Sequence, residues 1–185
     1  MRVLMISTTF CSVSPIFSCP SPVYQLCSGA SASQKQGYHL APAESFAYLN
    51  QSGNVTIDGV DDAADFREVD EAMDALSFKP EEKDNIFTIV AWILHLGNLR
   101  FRSIGDKKCE IENMDDLRYV AKLMEVNDSA LIKAITNRIM IVRGQAPMDI
   151  SLSVEEASAA RDALSKHVFS KSVRTHAHTP AKVVG

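Results

Sequence analysis

Glycine is scarce in this chain: eight residues in 185, none clustered. Neither G-x-x-x-x-G-K-[ST] nor G-x-G-x-x-G occurs, so the backbone N–H cradles that usually hold nucleotide phosphates have no counterpart here. Positive charge is not in excess either. Nineteen Lys and Arg stand against 23 Asp and Glu, for a net charge of −4, which gives no electrostatic case for nucleic acid or for a polybasic membrane anchor. The four cysteines (Cys11, Cys19, Cys27 and Cys109) form no C-x-x-C pair, and of five histidines only His176 and His178 are close in sequence. These spacings miss the zinc templates and point to reduced, unpaired thiols. No apolar run approaches the ~20 residues that span a bilayer. The stretch Met1–Val13 has one positive residue, Arg2, and is broken by Ser7, Thr8, Thr9 and Ser12. It reads as a leader without structure rather than as a secretory signal.

What is present is ordinary for a soluble globular protein: 46% hydrophobic and 23% charged residues, in a length sufficient for one sizeable core. Composition divides the chain in three. Residues 1–37, rich in Ser, Pro and Cys, read as a disordered or wrongly assigned leader, and residues 172–185 as a divergent, disordered tail. Residues 38–171 form a patterned domain.

That domain is predicted to be mainly α with short β-hairpins. Asp61 and Asp62 precede a helix in which Phe66, Val69, Met73 and Leu76 make one apolar stripe. Pro80, Glu81 and Glu82 open the clearest helix. Apolar residues from Ile86 to Leu96 cover most of its circumference, so it should be central, with Trp92, Ile93 and Leu96 buried. Gly97-Asn98 is expected to end it as a left-handed cap. Leu99–Arg102 and Cys109–Glu112 read as strands across a Gly105-Asp106 turn. Helices are expected over 115–125 and 129–136, and strands over 139–143 and 148–152. Ser153-Val154-Glu155-Glu156 matches a capping box opening a helix to about Lys171.

Candidate sites are few. Asp58, Asp61, Asp62 and Asp65 lack the Gly and bidentate Glu of a calcium loop, and helix capping accounts for them better. His95 has no assignable nucleophile and orienting acid, so it reads as a core or cleft-lining histidine. The segment Arg138–Asp149 has the composition of an exposed hairpin, with Arg138 and Arg143 placed near its tip. Hairpins on a rigid scaffold often carry binding.

Five segments, in order, resemble the myosin motor head: Tyr48-Leu49-Asn50-Gln51-Ser52-Gly53, Gly59-Val60-Asp61-Asp62-Ala63 with Asp65-Phe66, Phe78-Lys79-Pro80-Glu81-Glu82, Ile93-Leu94-His95-Leu96-Gly97-Asn98, and Asp162-Ala163-Leu164-Ser165-Lys166. The resemblance covers about Leu40–Lys171. It implies a partial motor-domain subdomain of the P-loop NTPase superfamily, on the upper side of the actin cleft and between the switch I and switch II loops. It further implies an actin-based, ATP-driven motor, cytoplasmic and cytoskeleton-associated, with actin filaments as partner. ATP and Mg2+ would serve the complete motor, with no cofactor, catalytic or metal residue in this chain. The departure of Ser172–His176 from the family pattern suggests a truncated or mis-spliced chain.

By the same resemblance, the hairpin before Asp162 is an actin-contact loop, with Arg138, Ile139, Met140, Arg143, Gly144, Gln145 and Ala146 as its candidate residues. Counting back without gaps from Asp162 reaches Ala146, beside Gln145, where the family places an acidic or phosphorylatable residue. Neither residue is one. The alternative reading is a non-catalytic helical module that binds actin or another protein partner.

Overall fold

The computed structural model of the chain describes residues 22–51, 53, 55, 59–105, 107–143 and 146–177. Met1–Val13, Cys11, Cys19, Ser52, Asp58, Asp106, Gly144, Gln145 and His178 therefore lie outside the described residues. The described elements are α1 (Pro22–Gly29), α2 (Ala32–Gly37), α3 (Asp62–Ala75), α4 (Pro80–Gly97), β1 (Phe101–Gly105), β2 (Lys108–Ile111), α5 (Met114–Leu123), α6 (Asp128–Thr136), β3 (Asn137–Met140), β4 (Met148–Ser151) and α7 (Val154–Ala177), with a single 3-10 turn at Ala43–Ser45. The strands form two separate antiparallel hairpins, β1-β2 and β3-β4. The expected class, mainly α with short β-hairpins, is the one observed. Two compact units are distinguished, Met1–Leu94 with Val168–Gly185, and His95–His167.

The reading of residues 22–36 as loop is corrected. They form α1 and α2, and Val23, Leu26, Cys27 and Ala30 are buried in the core of the first unit. Their spacing of three and four residues is helical. The α2 start is a capping box: Ser31 Oγ accepts from Gln34 N at 3.3 Å, and Ser31 N donates to Gln34 Oε1 at 3.0 Å. Helix α1 packs on α3 through Gly29. A Cβ there would lie 2.4 Å from Phe66 Cβ, so only glycine admits the approach. Phe66 in turn meets Phe87 of α4, ring centroids 5.2 Å apart. Lys83 reaches Asp70 Oδ1 at 2.9 Å and Asp74 Oδ1 at 2.8 Å, which ties α4 to α3.

The sequence stripe on α3 holds for Phe66 and Met73, which are buried, but Leu76 is exposed because it is the helix cap rather than part of its inner face. Asp61 caps the other end, its carboxylate accepting from Ala63 N and Ala64 N at 3.1 and 3.0 Å. In α4, Trp92, Ile93 and Leu96 are all buried, as the continuous apolar circumference requires.

In the second unit Leu96, Leu117, Val120, Ala121 and Ile135 are fully buried, and Cys109, Leu152 and Ala157 make a smaller cluster with Phe101, Val154 and Ala160. The expected left-handed cap at Gly97 is absent, since Gly97 is not among the positive-φ residues. Asn98 N and Leu99 N close the last turn on His95 O and Leu96 O, and Arg161 of α7 donates to the final carbonyl, Gly97 O, at 3.1 Å and to Leu99 O just past the helix at 2.9 Å. A guanidinium carries enough donors in one plane to bond both carbonyls and Asp162 Oδ1 together. The capping box opening α7 forms as expected, with Ser153 N on Glu156 Oε2 at 3.0 Å and Glu156 N on Ser153 Oγ at 3.3 Å. The helix then continues to Ala177, past the boundary expected at Lys171. Nothing between Ser172 and Ala177 is a helix breaker, so loss of the family pattern there did not mean loss of helix.

Candidate functional site

The β3-β4 hairpin grows directly out of a helix. α6 ends at Thr136, and β3 begins at the next residue. Thr136 Oγ1 donates back to Ile132 O at 2.8 Å, and Leu152 N donates to Thr136 O at 2.8 Å, so the hairpin base is held to the helix from both strands. The ladder pairs Asn137 with Ser151, Arg138 with Ile150, Ile139 with Asp149 and Met140 with Met148. Lys133 on the last turn of α6 reaches Asp149 Oδ2 at 2.6 Å. Buried Leu131, Ile135 and Leu152 anchor this base in the second unit.

Beyond the base, side chains turn to solvent. Ile141 is 78% exposed, Ile139 66% and Met148 46%, with Met140 and Val142 also exposed. Large apolar groups left in water so close together are informative, because isolated ones are ordinary and a contiguous patch marks a contact surface. Arg143 lies in the turn and Ala146 on the returning side, both exposed. Arg138 is not near the tip as expected. The register puts it one pair from the base, opposite Ile150. Of the candidate residues, Ile139, Met140, Arg143 and Ala146 share the outer part of the hairpin, and Arg138 stands apart from them.

Ile141 and Val142 were missed by the sequence reading. The run Ile139–Val142 is four consecutive apolar residues, which read as a strand of an exposed hairpin without its middle residues being singled out. The available signal was the flanking Arg138 and Arg143: a short apolar run between two charges, entering a turn, has no room to be covered by its own hairpin.

His95 packs edge-on against Tyr119, centroids 4.8 Å apart at 78°. Burial pushes the Tyr119 hydroxyl up to about 12. His95 itself is half-buried. Among the described residues no group of three metal-ligating side chains is assembled, and no helix is long and apolar enough to cross a membrane.

Comparison with known proteins gives a consistent picture. The family model described as Myosin head (motor domain) matches residues 22–175. The chain is 34% identical over 155 residues to the myosin IB heavy chain of Dictyostelium discoideum, covering 80% of this chain and 14% of that protein. It is 38% identical over 149 residues to human unconventional myosin-XV, covering 79% of this chain and 4% of the relative. Against Arabidopsis thaliana myosin-3 it is 37% identical over 147 residues, 79% of this chain and 13% of the relative. The chain thus spans a small part of the length of the curated relatives it matches.

Proposed function

Because this chain belongs to the myosin head (motor domain) family, we propose that it is a section of an actin-based, ATP-driven motor and that its β3-β4 hairpin is an actin-contact loop. On this reading it is a piece of the actin-facing subdomain, in a cytoplasmic protein associated with the cytoskeleton. ATP and Mg2+ act elsewhere in the complete motor, since this sequence has no phosphate loop.

The observation that carries the reading is the exposed apolar tip, Ile139, Ile141 and Met148 beside the Arg143 turn, on a base held rigid by α6. An apolar centre with a cation at its rim is the composition of a protein contact. The rim charge acts on encounter and is screened by salt, whereas the apolar centre acts on residence. The two parts separate experimentally in a complete motor head carrying this segment. Arg143→Ala should slow stopped-flow association with actin filaments and flatten its dependence on ionic strength. Ile141→Ser should leave association nearly unchanged and speed dissociation, by roughly tenfold if the side chain contributes about 1.4 kcal/mol in the contact. Unchanged rates in both variants would show that the hairpin does not touch actin.

A further inference from the structure

We propose that the second unit carries an anion-binding cleft between its two hairpins, shaped for a multiply charged phosphate group. The cleft is open, has a volume of about 710 Å³, and is separate from the apolar hairpin tip. That volume lies within the ~300–1,000 Å³ range of ligand sites. Its cations are Lys107 and Lys108 at the turn of the first hairpin and Arg138 on the second.

The decisive feature is which charges are already engaged. Asp149 lines the cleft but is held by Lys133 at 2.6 Å, and Glu156 accepts from Ser153 N at 3.0 Å. Lys107, Lys108 and Arg138, in contrast, enter no ion pair among the described residues. Elsewhere in the same unit Arg100, Arg102, Arg118, Lys133 and Arg161 do, whereas Lys122, Arg143 and Lys166 also enter none among the described residues but do not line the cleft. Three cations without an ion pair therefore line the cleft beside one carboxylate paired to Lys133 and one, Glu156, that keeps its charge, which leaves the lining net positive. A single carboxylate is matched by one guanidinium, whereas three cations lining one cleft suit a dianion or higher charge. Arg138 offers a planar fork for two phosphate oxygens, and the lysines act as point charges. Ser151, half-buried in the cleft wall, adds a hydroxyl that makes no hydrogen bond within the protein among the described residues. Lys107 also holds a left-handed φ of 57°, which favours glycine or asparagine over lysine on backbone grounds alone.

The phosphate could belong to a soluble polyphosphate or to a phosphorylated lipid headgroup. The full chain is titrated by calorimetry with tripolyphosphate, and separately with phosphatidylcholine vesicles with and without a bis-phosphorylated inositol lipid. Saturable tripolyphosphate binding identifies the shared chemistry. Vesicle binding that requires the phosphorylated lipid assigns the headgroup as a source, and its absence assigns the soluble one. The variant Lys107→Ala/Lys108→Ala/Arg138→Ala should weaken tripolyphosphate binding roughly tenfold or more. The control Lys79→Ala/Lys122→Ala/Lys166→Ala removes the same charge at residues that do not line the cleft and should change it less than about twofold. All six side chains are exposed, and circular dichroism melts check that each variant folds. Ser151→Asp provides an independent arm, since a carboxylate placed in the cleft should weaken binding with all three cations intact. Equal weakening by the two triple variants would overturn the proposal, as would absence of saturable binding. Equally tight binding of a glutamate peptide would also overturn it, in favour of an acidic protein segment. The proposal does not rest on the actin reading, and Arg143→Ala should leave anion binding unchanged.

Discussion

Cys27 shows at the scale of one residue how burial becomes a measurable property. It sits in the core of the first unit as a free thiol, and burial is the main cause that lifts its pKa from an ordinary 9.0 to about 12. Lys35 opposes that rise, while Glu44 and Asp62 add to it. The folded state therefore keeps a proton that the unfolded chain releases. Below pH ~9 both states hold it and the group contributes no pH dependence. As pH rises from there toward ~12 only the unfolded thiol ionises, so stability falls as pH increases. Urea melts between pH 8 and 10.5 should show a decline that is flatter in Cys27→Ala, by up to about 1.4 kcal/mol per pH unit. Parallel pH profiles for the two proteins would place the thiol in contact with solvent.

Helix ends are the level at which the scarcity of glycine is felt. α2, α3 and α5 each close with a left-handed residue that is not glycine: His39 at φ 49°, Ser77 at φ 62° and Glu125 at φ 52°. In each the backbone completes the same pair of bonds. After α3, Phe78 N reaches Met73 O at 3.0 Å and Ser77 N reaches Asp74 O at 2.8 Å. After α5, Val126 N reaches Ala121 O at 2.9 Å and Glu125 N reaches Lys122 O at 3.1 Å. These are Schellman closures, which normally recruit glycine because a Cβ strains the left-handed region by roughly 1–2 kcal/mol. Glu125→Gly should relieve that strain, partly offset by the greater freedom of an unfolded glycine. The expected gain is about 0.5–1 kcal/mol in a denaturant melt. Glu125 is exposed, and its side chain enters no ion pair or hydrogen bond among the described residues, so a loss of stability would mean that the strain is absent. These closures also explain why helix ends were the least legible feature. No glycine marks them, and the backbone bonds that define them involve any residue type.

At the scale of the whole molecule, the family and the missing phosphate loop give a prediction about activity. The chain alone should hydrolyse no ATP, because nothing in its sequence positions a γ-phosphate, a magnesium ion and an attacking water together. Phosphate release from purified chain with MgATP should match the protein-free blank. Any binding of ATP to the cation-lined cleft should weaken on adding magnesium, since the metal neutralises the phosphates that the cleft would hold. Magnesium-dependent turnover, or affinity that rises with magnesium, would show a nucleotide site that the sequence does not announce.

The sequence by itself determined the class of fold, the central helix and the family. These depend on local chemistry: the full apolar circumference of Ile86–Leu96, the caps at Asp61 and Ser153, and five ordered motifs. Helices α1 and α2 were also written locally, in the spacing of Val23, Leu26, Cys27 and Ala30 and in the Ser31-x-x-Gln34 box. Their Ser-rich surroundings concealed them. Only the tertiary structure decided what depends on partners far away in sequence. Arg161 meets the final carbonyl of α4 from 64 residues on. Gly29 is required by Phe66, on another helix. The hairpin was legible as a hairpin, but its register was not. Arg138 pairs with Ile150 one pair from the base, where it lines one cleft with Lys107 and Lys108, because residues that share a cleft are set by cross-strand pairing and not by closeness along the chain.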